Sequence, residues 1–356
     1  MLAEPNIKSK RAALQNEFDL LSEKIKRLRE AHAIETDVAT RFKLEKQTEQ
    51  AEAERDALEP QIAALERQQP ARVSLKTLQA PIPNLLPYLS DRSYHETELG
   101  KALHAHQQSK PRRPFICIIH GDEFECHDMF LERLRLVSLP RALKLDTERV
   151  YIKDYLLQWP SSAETRQNQF DLVRSHLAAT LVGDSAASIE EMSIVISRHE
   201  APVMIHTHLL TEDWQYTGPD LLHEFFKFWN DWQDLAPKQL LFICLCQKYQ
   251  RIETRGFLQK RKFKTINSTI RTFFTAFDFS AYKQLHGVTL PELCAIPRKD
   301  VEDWVREHAR EFCYMDELLP RVRALYEQTG LCTPEGGIPM ERLAVKLKEL
   351  LNEYRY

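Results

Sequence analysis

The sequence predicts an α/β protein in which a mostly parallel sheet carries helices on both faces. From residue 115 onward, short apolar runs typical of buried strands alternate with stretches of helical periodicity. The hydrophobic content of 43% over 356 residues is enough to fill a large core. Residues 7–66 differ, because they contain no glycine and follow a seven-residue rhythm. We therefore expect a helical hairpin before the α/β domain.

The N-terminal residues predict two antiparallel helices. Apolar side chains recur at the spacing of a coiled-coil seam. They are Leu14, Phe18, Leu21, Ile25 and Leu28 in the first helix and Leu44, Ala51, Leu58 and Leu65 in the second. Between them Thr36 or Asp37 can cap the second helix. Pro60 predicts a kink or an early end near Glu59, because proline in a straight helix costs about 3 kcal/mol.

Prolines mark the boundary between this hairpin and the rest of the chain. Pro70, Pro81, Pro83 and Pro87 give residues 70–90 the character of a semi-rigid linker. We expect four parts. They are a helical hairpin at 1–69, a linker at 70–84, an α/β domain at 85–300 and a C-terminal helical segment at 301–356.

Within the α/β domain the strands and helices follow in order, after a short helix that begins near Tyr88. The expected strands are Phe115 to Ile119, Arg149 to Lys153, Val203 to His208, Leu240 to Cys246 and a short one within Val288 to Leu290 or Leu293 to Ile296. The expected helices are Met129 to Val137, Ala163 to Val182, Ile189 to Arg198 and the aromatic-rich Asp220 to Leu235. From Asp300 onward only helices are expected, with a break at Gly336 to Pro339.

The first strand runs through a glycine into a helix and has the outline of a phosphate-binding loop. In the spacing G-x-x-x-x-G-K-[ST], Gly121 holds the first glycine position. Cys126 replaces the second glycine, His127 the lysine and Asp128 the hydroxyl residue. The loop therefore lacks the lysine and the hydroxyl with which such loops bind phosphate and magnesium.

Acidic residues fill the same loop. The four carboxylates belong to Asp122, Glu123, Glu125 and Asp128. They would repel a nucleoside triphosphate, because two like charges 4 Å apart cost about 4 kcal/mol at an effective dielectric of about 20. The expected third strand also ends, at His208, without an acid that could hold magnesium. We expect a P-loop NTPase-like domain that has lost its nucleotide motifs, with no cofactor, metal or catalytic residue.

Three weaker interpretations concern this loop and the neighbouring strands. The run Gly121 to Phe124 matches the end of the diguanylate cyclase signature, and His127 with Asp128 matches a dipeptide of metal phosphohydrolases. Two histidines of the third strand could meet two cysteines of the fourth around zinc if those strands were adjacent. These are His206, His208, Cys244 and Cys246. We expect instead that the cysteines fill the core.

A basic run follows the fourth expected strand. It contains Lys248, Arg251, Arg255 and the cluster Lys260 to Lys264. A solvated loop is the simplest interpretation, and such a run can also grip the phosphates of nucleic acid. Because the carboxyl ends of parallel strands share one edge of a sheet, Lys248 or Arg251 can also pair with the loop carboxylates and close the cleft.

The overall charge and the cysteines indicate the compartment. A formal net charge of −3 gives no general attraction to nucleic acid or anionic membranes. Seven cysteines, two of them in the apolar run Leu240 to Cys246, suit a reducing environment. No window approaches the roughly 18 apolar residues of a membrane span. We expect a cytoplasmic protein that does not contact membrane.

Residues before and within the glycine loop resemble a known class of proteins. The segment Tyr88 to Arg92 with Glu98, followed by the strand that reaches Gly121, resembles the entry to STAND-class P-loop NTPases. The segment His120 to Leu134 closely resembles the inactive STAND modules of bacterial conflict systems. The resemblance covers roughly residues 85–300, and it supplies no catalytic residues.

The hairpin adds a second resemblance. With Ile34 to Asp37 and Phe42 to Gln47, it resembles the coiled-coil effector-associated domains that precede such modules. Together the two resemblances imply a non-enzymatic adaptor, scaffold or sensor in bacterial defence or signalling. The hairpin would recruit an effector with a like coiled-coil domain, residues 1–69 could form a homo-oligomer, and ATP would not be hydrolysed.

Two other functions stay open at this point. One is a divergent P-loop NTPase or phosphate-ester enzyme with altered loop chemistry, which ATP binding would reveal. The other is a nucleic-acid-binding module that uses residues 248–264, for which affinity should fall steeply with salt. We do not expect nucleic acid to be the principal partner.

Overall fold

A computed structural model describes most of the chain. The described residues are 4–34, 37–68, 84–90, 92–108, 113–146, 150–159, 169–236, 239–250, 257–307 and 315–353. They form a mixed α/β structure with a five-stranded parallel sheet, two long helices before it and three helices after it. The predicted fold class is confirmed, whereas the predicted domain boundaries stay predictions.

The sheet contains five strands, whose order is β2-β3-β4-β1-β5. They are β1 (Phe115–Asp122), β2 (Lys153–Leu156), β3 (Val203–Leu210), β4 (Leu241–Tyr249) and β5 (His286–Thr289). All neighbouring pairs are parallel. The carboxyl ends of the strands therefore lie along one edge of the sheet.

Strands β1, β3 and β4 begin within one residue of the predicted positions and run two or three residues further. The second strand begins at Lys153, where the prediction ended, because β2 lies at the edge of the sheet and its residues are mostly exposed. An edge strand needs no continuous apolar run, so its sequence signal is weak. The fifth strand is His286–Thr289, and Leu293 and Ile296 each form only an isolated bridge.

The two N-terminal helices pack against each other as an antiparallel hairpin. Helix α1 spans Glu4–Ile34, and α2 spans Val38–Gln68. The Asp37 carboxylate accepts the Thr40 N–H at 2.8 Å and caps α2, as the sequence predicted. The early end at Glu59 is wrong, because α2 continues through Pro60. Packing against α1, with Leu58 buried just before the proline, offsets its cost.

Helices flank both faces of the sheet. They are α3 (Ser93–Gln108), α4 (His127–Arg133), α5 (Leu139–Leu143), α6 (Gln169–Val182), α7 (Ile189–Ser197), α8 (Thr211–Asn230) and α9 (Phe257–Ala276). A π turn, Leu134–Ser138, joins α4 to α5. The C-terminal helices are α10 (Arg298–Glu307), α11 (Met315–Glu327) and α12 (Met340–Glu353). The predicted start of α6 at Ala163 lies outside the described residues.

Helix α8 contains one more helical segment than predicted and ends earlier than predicted. It begins at Thr211, because Asp213 accepts the Leu210 N–H at 2.8 Å, and it ends at Asn230. Gly218 has a non-helical backbone, with φ 57° and ψ −166°, and separates α8 into two helical segments. The second segment starts at Pro219, next to the predicted start at Asp220. The aromatic residues of α8 nevertheless pack against the sheet as predicted, with Phe225, Phe226 and Trp229 fully buried.

Three apolar clusters hold these layers together. One face of the sheet packs on α6, α7, α8 and α9, and the other packs on α3, α4 and α5. The second face carries Cys117, Cys244 and Cys246, so the cysteines of the strands fill the core as predicted. The third cluster joins α10, α11 and α12 to the turn Leu86–Leu89. Among the described helices, none has the length and apolar character required to cross a bilayer.

Candidate functional site

The loop after β1 lies at the carboxyl edge of the sheet, next to the ends of β3 and β4. In register, Gly121 of β1 and Leu210 of β3 both pair with Lys248 of β4. This is the edge at which open α/β sheets commonly bind ligands. The predicted loop positions are therefore where a ligand site would be expected.

Gly121 is required by a close backbone approach. Leu293 forms a bridge with Gly121, and its N–H donates to the His120 carbonyl at 2.8 Å. A Cβ atom on Gly121 would lie 2.6 Å from both the Cβ and the carbonyl oxygen of Leu293. The space beside this glycine is therefore filled by the protein's own backbone.

The residues after Gly121 form a tight turn. The Asp122 carboxylate accepts the Phe124 N–H at 3.1 Å and begins a 3₁₀ helix over Glu123–Glu125. Cys126 then adopts the left-handed conformation, with φ 53° and ψ 52°. This backbone conformation favours glycine and costs other residues about 1–2 kcal/mol. Cys126 thus has the backbone conformation that a glycine adopts easily, although it lacks the conformational freedom of glycine.

Glu125 points inward and pairs with Arg92. Arg92 Nη2 donates to Glu125 Oε2 at 2.8 Å, and the two side chains are only 3% and 1% exposed. Arg92 Nη1 also donates to the Cys294 carbonyl at 2.9 Å. Burial raises the pKa of Glu125, against the opposing effects of Arg92 and the Met340 N–H. A buried ion pair therefore occupies the interior of the loop.

His127, at the lysine position of the spacing, is completely buried. Burial lowers the pKa of this imidazole to about 3, so the ring is neutral at pH 7. Within the described part of the chain, neither ring nitrogen has a hydrogen-bond partner. Where an active loop would present a cation to phosphate, this loop packs an uncharged ring into the core.

Asp128 is the outward-facing carboxylate of the loop. Its side chain is 68% exposed and accepts from His208 Nε2 and Lys248 Nζ, each at 3.1 Å. These bonds, that of His208 first, hold the pKa of Asp128 well below its usual range. Lys248 therefore pairs with a loop carboxylate, as the sequence suggested, but whether this pair closes a cleft stays a prediction.

The histidines of β3 do not form a metal site with the cysteines of β4. His206 and His208 pair in register with Cys244 and Cys246. The His206 Nδ1 and His208 Nε2 atoms lie 3.4 Å apart, and Asp154 lies 3.4 Å from His206 Nε2. In the described ranges, however, no three His, Cys, Asp or Glu side chains are arranged to hold a metal ion.

The acid-free third strand needs one correction. Strand β3 runs to Leu210, two residues beyond the prediction, and Glu212 and Asp213 follow directly. The Asp213 carboxylate caps α8 at the Leu210 N–H, and the Glu212 N–H bonds Gln250 Oε1 at 3.1 Å. Carboxylates do lie near the end of β3, and that of Asp213 holds the start of a helix.

The C-terminal helices cover the loop. Met340, at the start of α12, lies beside the Glu125 carboxylate, and its N–H lowers the pKa of that group. The Arg342 guanidinium lies 6.0 Å from the centre of the Phe124 ring. A cleft of about 10 Å³ remains, lined by Tyr88, Arg92, Glu125, Cys126, Met129, Phe130 and Met340. That volume is about the space of one water molecule and far too small for a nucleotide.

The predicted seam of the hairpin lies between its two helices. Phe18 and Ile25 are buried, and Leu14, Leu21 and Leu28 are partly buried. On α2, Ala51 and Leu58 are also buried. A partner could reach this seam only by replacing one of the helices. Among the hairpin side chains that the structure describes, the large apolar ones that face outward are Leu20, 64% exposed, and Phe42, 60% exposed.

A cluster of ion pairs connects the hairpin to α10. The Asp303 carboxylate accepts from Arg29 and from Arg55, in each case at 3.2 Å, and from Arg306 at 3.0 Å. Glu52 accepts from Arg29 at 3.0 Å and from Lys299 at 2.5 Å. One carboxylate on α10 thus joins both helices of the hairpin to the C-terminal helices.

The basic run after β4 is only partly described. Arg251 and Arg255 lie outside the described residues, as do the side chains of 257–260. On α9 the side chains of Arg261, Lys262 and Lys264 are exposed. The structure thus brings Lys248 to the glycine loop and places three cations of the run on the outer surface.

Residues 87–247 match the family described as inactive STAND. The match covers somewhat less than half of the chain, and it contains the whole loop from Gly121 to Asp128. The family is designated inactive, which agrees with the altered loop. Comparison with curated proteins gives no match.

Several solved structures are similar at low identity. The ORC1 protein of Aeropyrum pernix in complex with DNA has a TM-score of 0.37 and 12% identity, covering 79% of this chain and 65% of that one. The ORC2 protein of the same organism, with ADPNP and ADP, has a TM-score of 0.41 and 10% identity, covering 78% and 66%. Drosophila ORC bound to GC-rich DNA and Cdc6 has a TM-score of 0.33 and 10% identity, covering 67% and 34%. This chain therefore spans less than two thirds of the length of each.

Two contributions to the site were not predicted from the sequence. One is the pairing of Arg92 with Glu125, which joins residues 33 positions apart. The other is Met340, whose N–H reaches the loop from the far end of the chain. The sequence does hold a signal for the contact at Met340: Pro339 precedes α12 and offers no side-chain cap, so the first turn needs an acceptor from elsewhere.

Proposed function

We propose that this chain is a non-enzymatic adaptor or scaffold of a bacterial conflict or signalling system. In this role it recruits an effector through the N-terminal hairpin and does not hydrolyse ATP. One observation carries the non-enzymatic part: Leu293 fills the space beside Gly121, and the buried pair of Arg92 and Glu125 is packed under the glycine loop. The match of residues 87–247 to the inactive STAND family supports the same conclusion.

Electrostatics at the loop oppose a nucleotide. A phosphate loop needs a cation at the position of His127, and that imidazole is buried and neutral. Lys248, the cation at the end of β4, is engaged by the Asp128 carboxylate. Glu125 lies inside the loop, where its charge would face an entering phosphate at low dielectric. Each of these features weakens the binding of an anion as highly charged as ATP.

Calorimetry on the full chain tests this half of the proposal. ATP and ADP are titrated with and without magnesium, and no binding is expected at micromolar concentrations of nucleotide. An Arg92→Met variant serves as a matched comparison, because it removes the buried guanidinium, the cation closest to the loop interior. Micromolar affinity of the wild type for ATP would refute the adaptor and favour a divergent NTPase. Loss of that affinity in folded Arg92→Met would show that the nucleotide binds at this loop.

The hairpin supports the recruiting half of the proposal. Its seam is used internally, so a partner would meet the outer surface, where Leu20 and Phe42 are exposed. The ion pairs of Asp303 hold the hairpin in one position on α10. An effector with a like hairpin would therefore pack beside α1 and α2, rather than between them.

Recruitment is tested with the full chain and a protein encoded beside it that carries a like N-terminal hairpin. Binding and self-association are measured by sedimentation. Leu20→Glu and Phe42→Glu are expected to abolish complex formation, because each buries a charge in an apolar contact. Leu156→Glu, on edge strand β2 at a side chain that is 50% exposed, is the control and should bind normally. If the wild type neither self-associates nor binds that protein, the recruiting role fails.

A further inference from the structure

Glu125 joins three distant parts of the chain. Its carboxylate accepts from Arg92, which precedes α3, and it lies beside Met340 at the start of α12, whose N–H lowers its pKa. The loop that carries it connects β1 to α4. The carboxylate therefore contacts both the α/β part of the structure and the C-terminal helices.

The start of α12 lacks a side-chain cap of its own. The first N–H groups of a helix have no partner within the helix, and the residue before the first turn usually supplies one. Here that residue is Pro339, which has no side-chain acceptor. The positive end of the helix dipole also favours a negative charge. Glu125 supplies both the acceptor and the charge from a loop more than 200 residues away.

Arg92 is fixed in place by more than this carboxylate. Its second terminal nitrogen donates to the Cys294 carbonyl at 2.9 Å, and its backbone has a φ of 79°. Non-glycine residues seldom adopt this conformation, and it persists only where surrounding contacts impose it. The guanidinium and the Met340 N–H therefore form an oxyanion site whose position does not depend on an external ligand.

We propose that Glu125 is a built-in anion, occupying an oxyanion site formed by Arg92 and the start of α12 and thereby fixing the C-terminal helices to the sheet. In proteins that bind phosphate at a helix N-terminus, an external anion fills the corresponding role. In this chain the ligand is part of the sequence, so the contact between α12 and the glycine loop is permanent. Removal of the Glu125 carboxylate should leave a site for a small carboxylate or phosphate.

The decisive experiment is rescue of Glu125→Ala by added anions. Thermal unfolding of the full chain is followed in formate, in inorganic phosphate and in chloride, at constant ionic strength. The variant should melt several degrees below the wild type, and formate or phosphate should recover part of that loss in a saturable way. The wild type should show no such recovery, and neither should Glu341→Ala, which removes an exposed carboxylate from the first turn of α12.

The inference is overturned if formate and phosphate act on Glu125→Ala no differently from chloride, or if they act equally on Glu341→Ala. Since Glu125→Ala leaves Arg92 buried without its charge partner, it could fail to fold. Glu125→Gln then decides, because it keeps the shape and loses the charge. Hydrogen exchange at Leu343 and Ala344 in α12 should accelerate about tenfold or more, with β4 unchanged. Unchanged exchange in α12 would refute the inference.

This inference rests on the proposed closed loop, and the two fail in different ways. Micromolar ATP binding by the wild type refutes the proposed function. Absence of anion rescue in the Glu125 variants refutes only the built-in anion and leaves the adaptor untouched.

Discussion

Replacing His127 with leucine is expected to change how the stability of this chain depends on pH. In the folded protein, burial lowers the pKa of the imidazole from its ordinary 6.5 to about 3. The folded state therefore keeps the ring neutral between these two values, whereas the unfolded chain binds a proton there. The free energy of unfolding contributed by this site is fully present above pH 6.5 and falls as the pH is lowered toward 3.

The size of the effect follows from the shift. One pKa unit corresponds to about 1.4 kcal/mol, so between pH 6.5 and pH 4.5 the wild type should lose roughly 2–3 kcal/mol through this group. In His127→Leu that loss is absent, because the side chain cannot bind a proton. The stability difference between wild type and variant should therefore shift by roughly 2–3 kcal/mol, in favour of the variant, across this range.

Urea denaturation of both proteins at pH 7.5, 6.5, 5.5 and 4.5 measures the difference. Phe130→Leu is the matched control, since it removes packing from a buried neighbour and introduces no titrating group. Its stability curve should run parallel to that of the wild type at a constant offset. If the stability curve of His127→Leu also runs parallel to that of the wild type, then His127 is not a buried neutral ring. The conclusion that an uncharged imidazole replaces the phosphate-loop lysine would then be wrong.

Three further outcomes are expected. Gly121→Ala should lower the free energy of unfolding by about 1–3 kcal/mol in urea denaturation, because the added methyl overlaps Leu293, and an unchanged value would disprove the close approach. A double-mutant cycle of Asp128→Asn and Lys248→Met should give a coupling of about 0.2–1 kcal/mol, since the carboxylate is mostly exposed, and purely additive losses would exclude the pair. Asp303→Ala should accelerate hydrogen exchange in α1 and α2 and cost about 2–3 kcal/mol, because three arginines lose an acceptor; equal exchange would show that the hairpin is held by other contacts.

The parts of the fold with strong local signals could be predicted from the sequence. Strands β1 and β4 are buried on both faces and appear as continuous apolar runs, and β3 begins with such a run at Val203 to Ile205. The prediction for β2 was a few residues too early in the sequence, because the strand lies at the edge of the sheet and most of its residues are exposed. Gly218 and Pro219 do break α8, as such residues predict, and the part that the sequence did not reveal is the short helical segment before them, which begins at Thr211.

The site was predictable in composition and not in geometry. The loop carboxylates and the substitutions at Cys126, His127 and Asp128 are visible in the sequence. Nothing local shows that Glu125 points inward or that its charge is met by Arg92, because that contact is made by tertiary folding. The seam of the hairpin illustrates the same limit: its spacing predicts an apolar contact, but only the structure shows that α2 provides the other side.

The close approach of Leu293 to Gly121 determines what restoring the phosphate-loop residues could achieve. The substitutions Cys126→Gly, His127→Lys and Asp128→Ser would recreate the sequence motif of a phosphate loop. The space that the phosphate needs would still be occupied. The backbone beside Gly121 and the buried carboxylate of Glu125 would still fill the space that a phosphate needs. Phosphate could enter only after a coordinated displacement of the β5 to α10 connection and of α12, which single substitutions do not supply. Packing around the loop, and not only its motif residues, therefore keeps it closed.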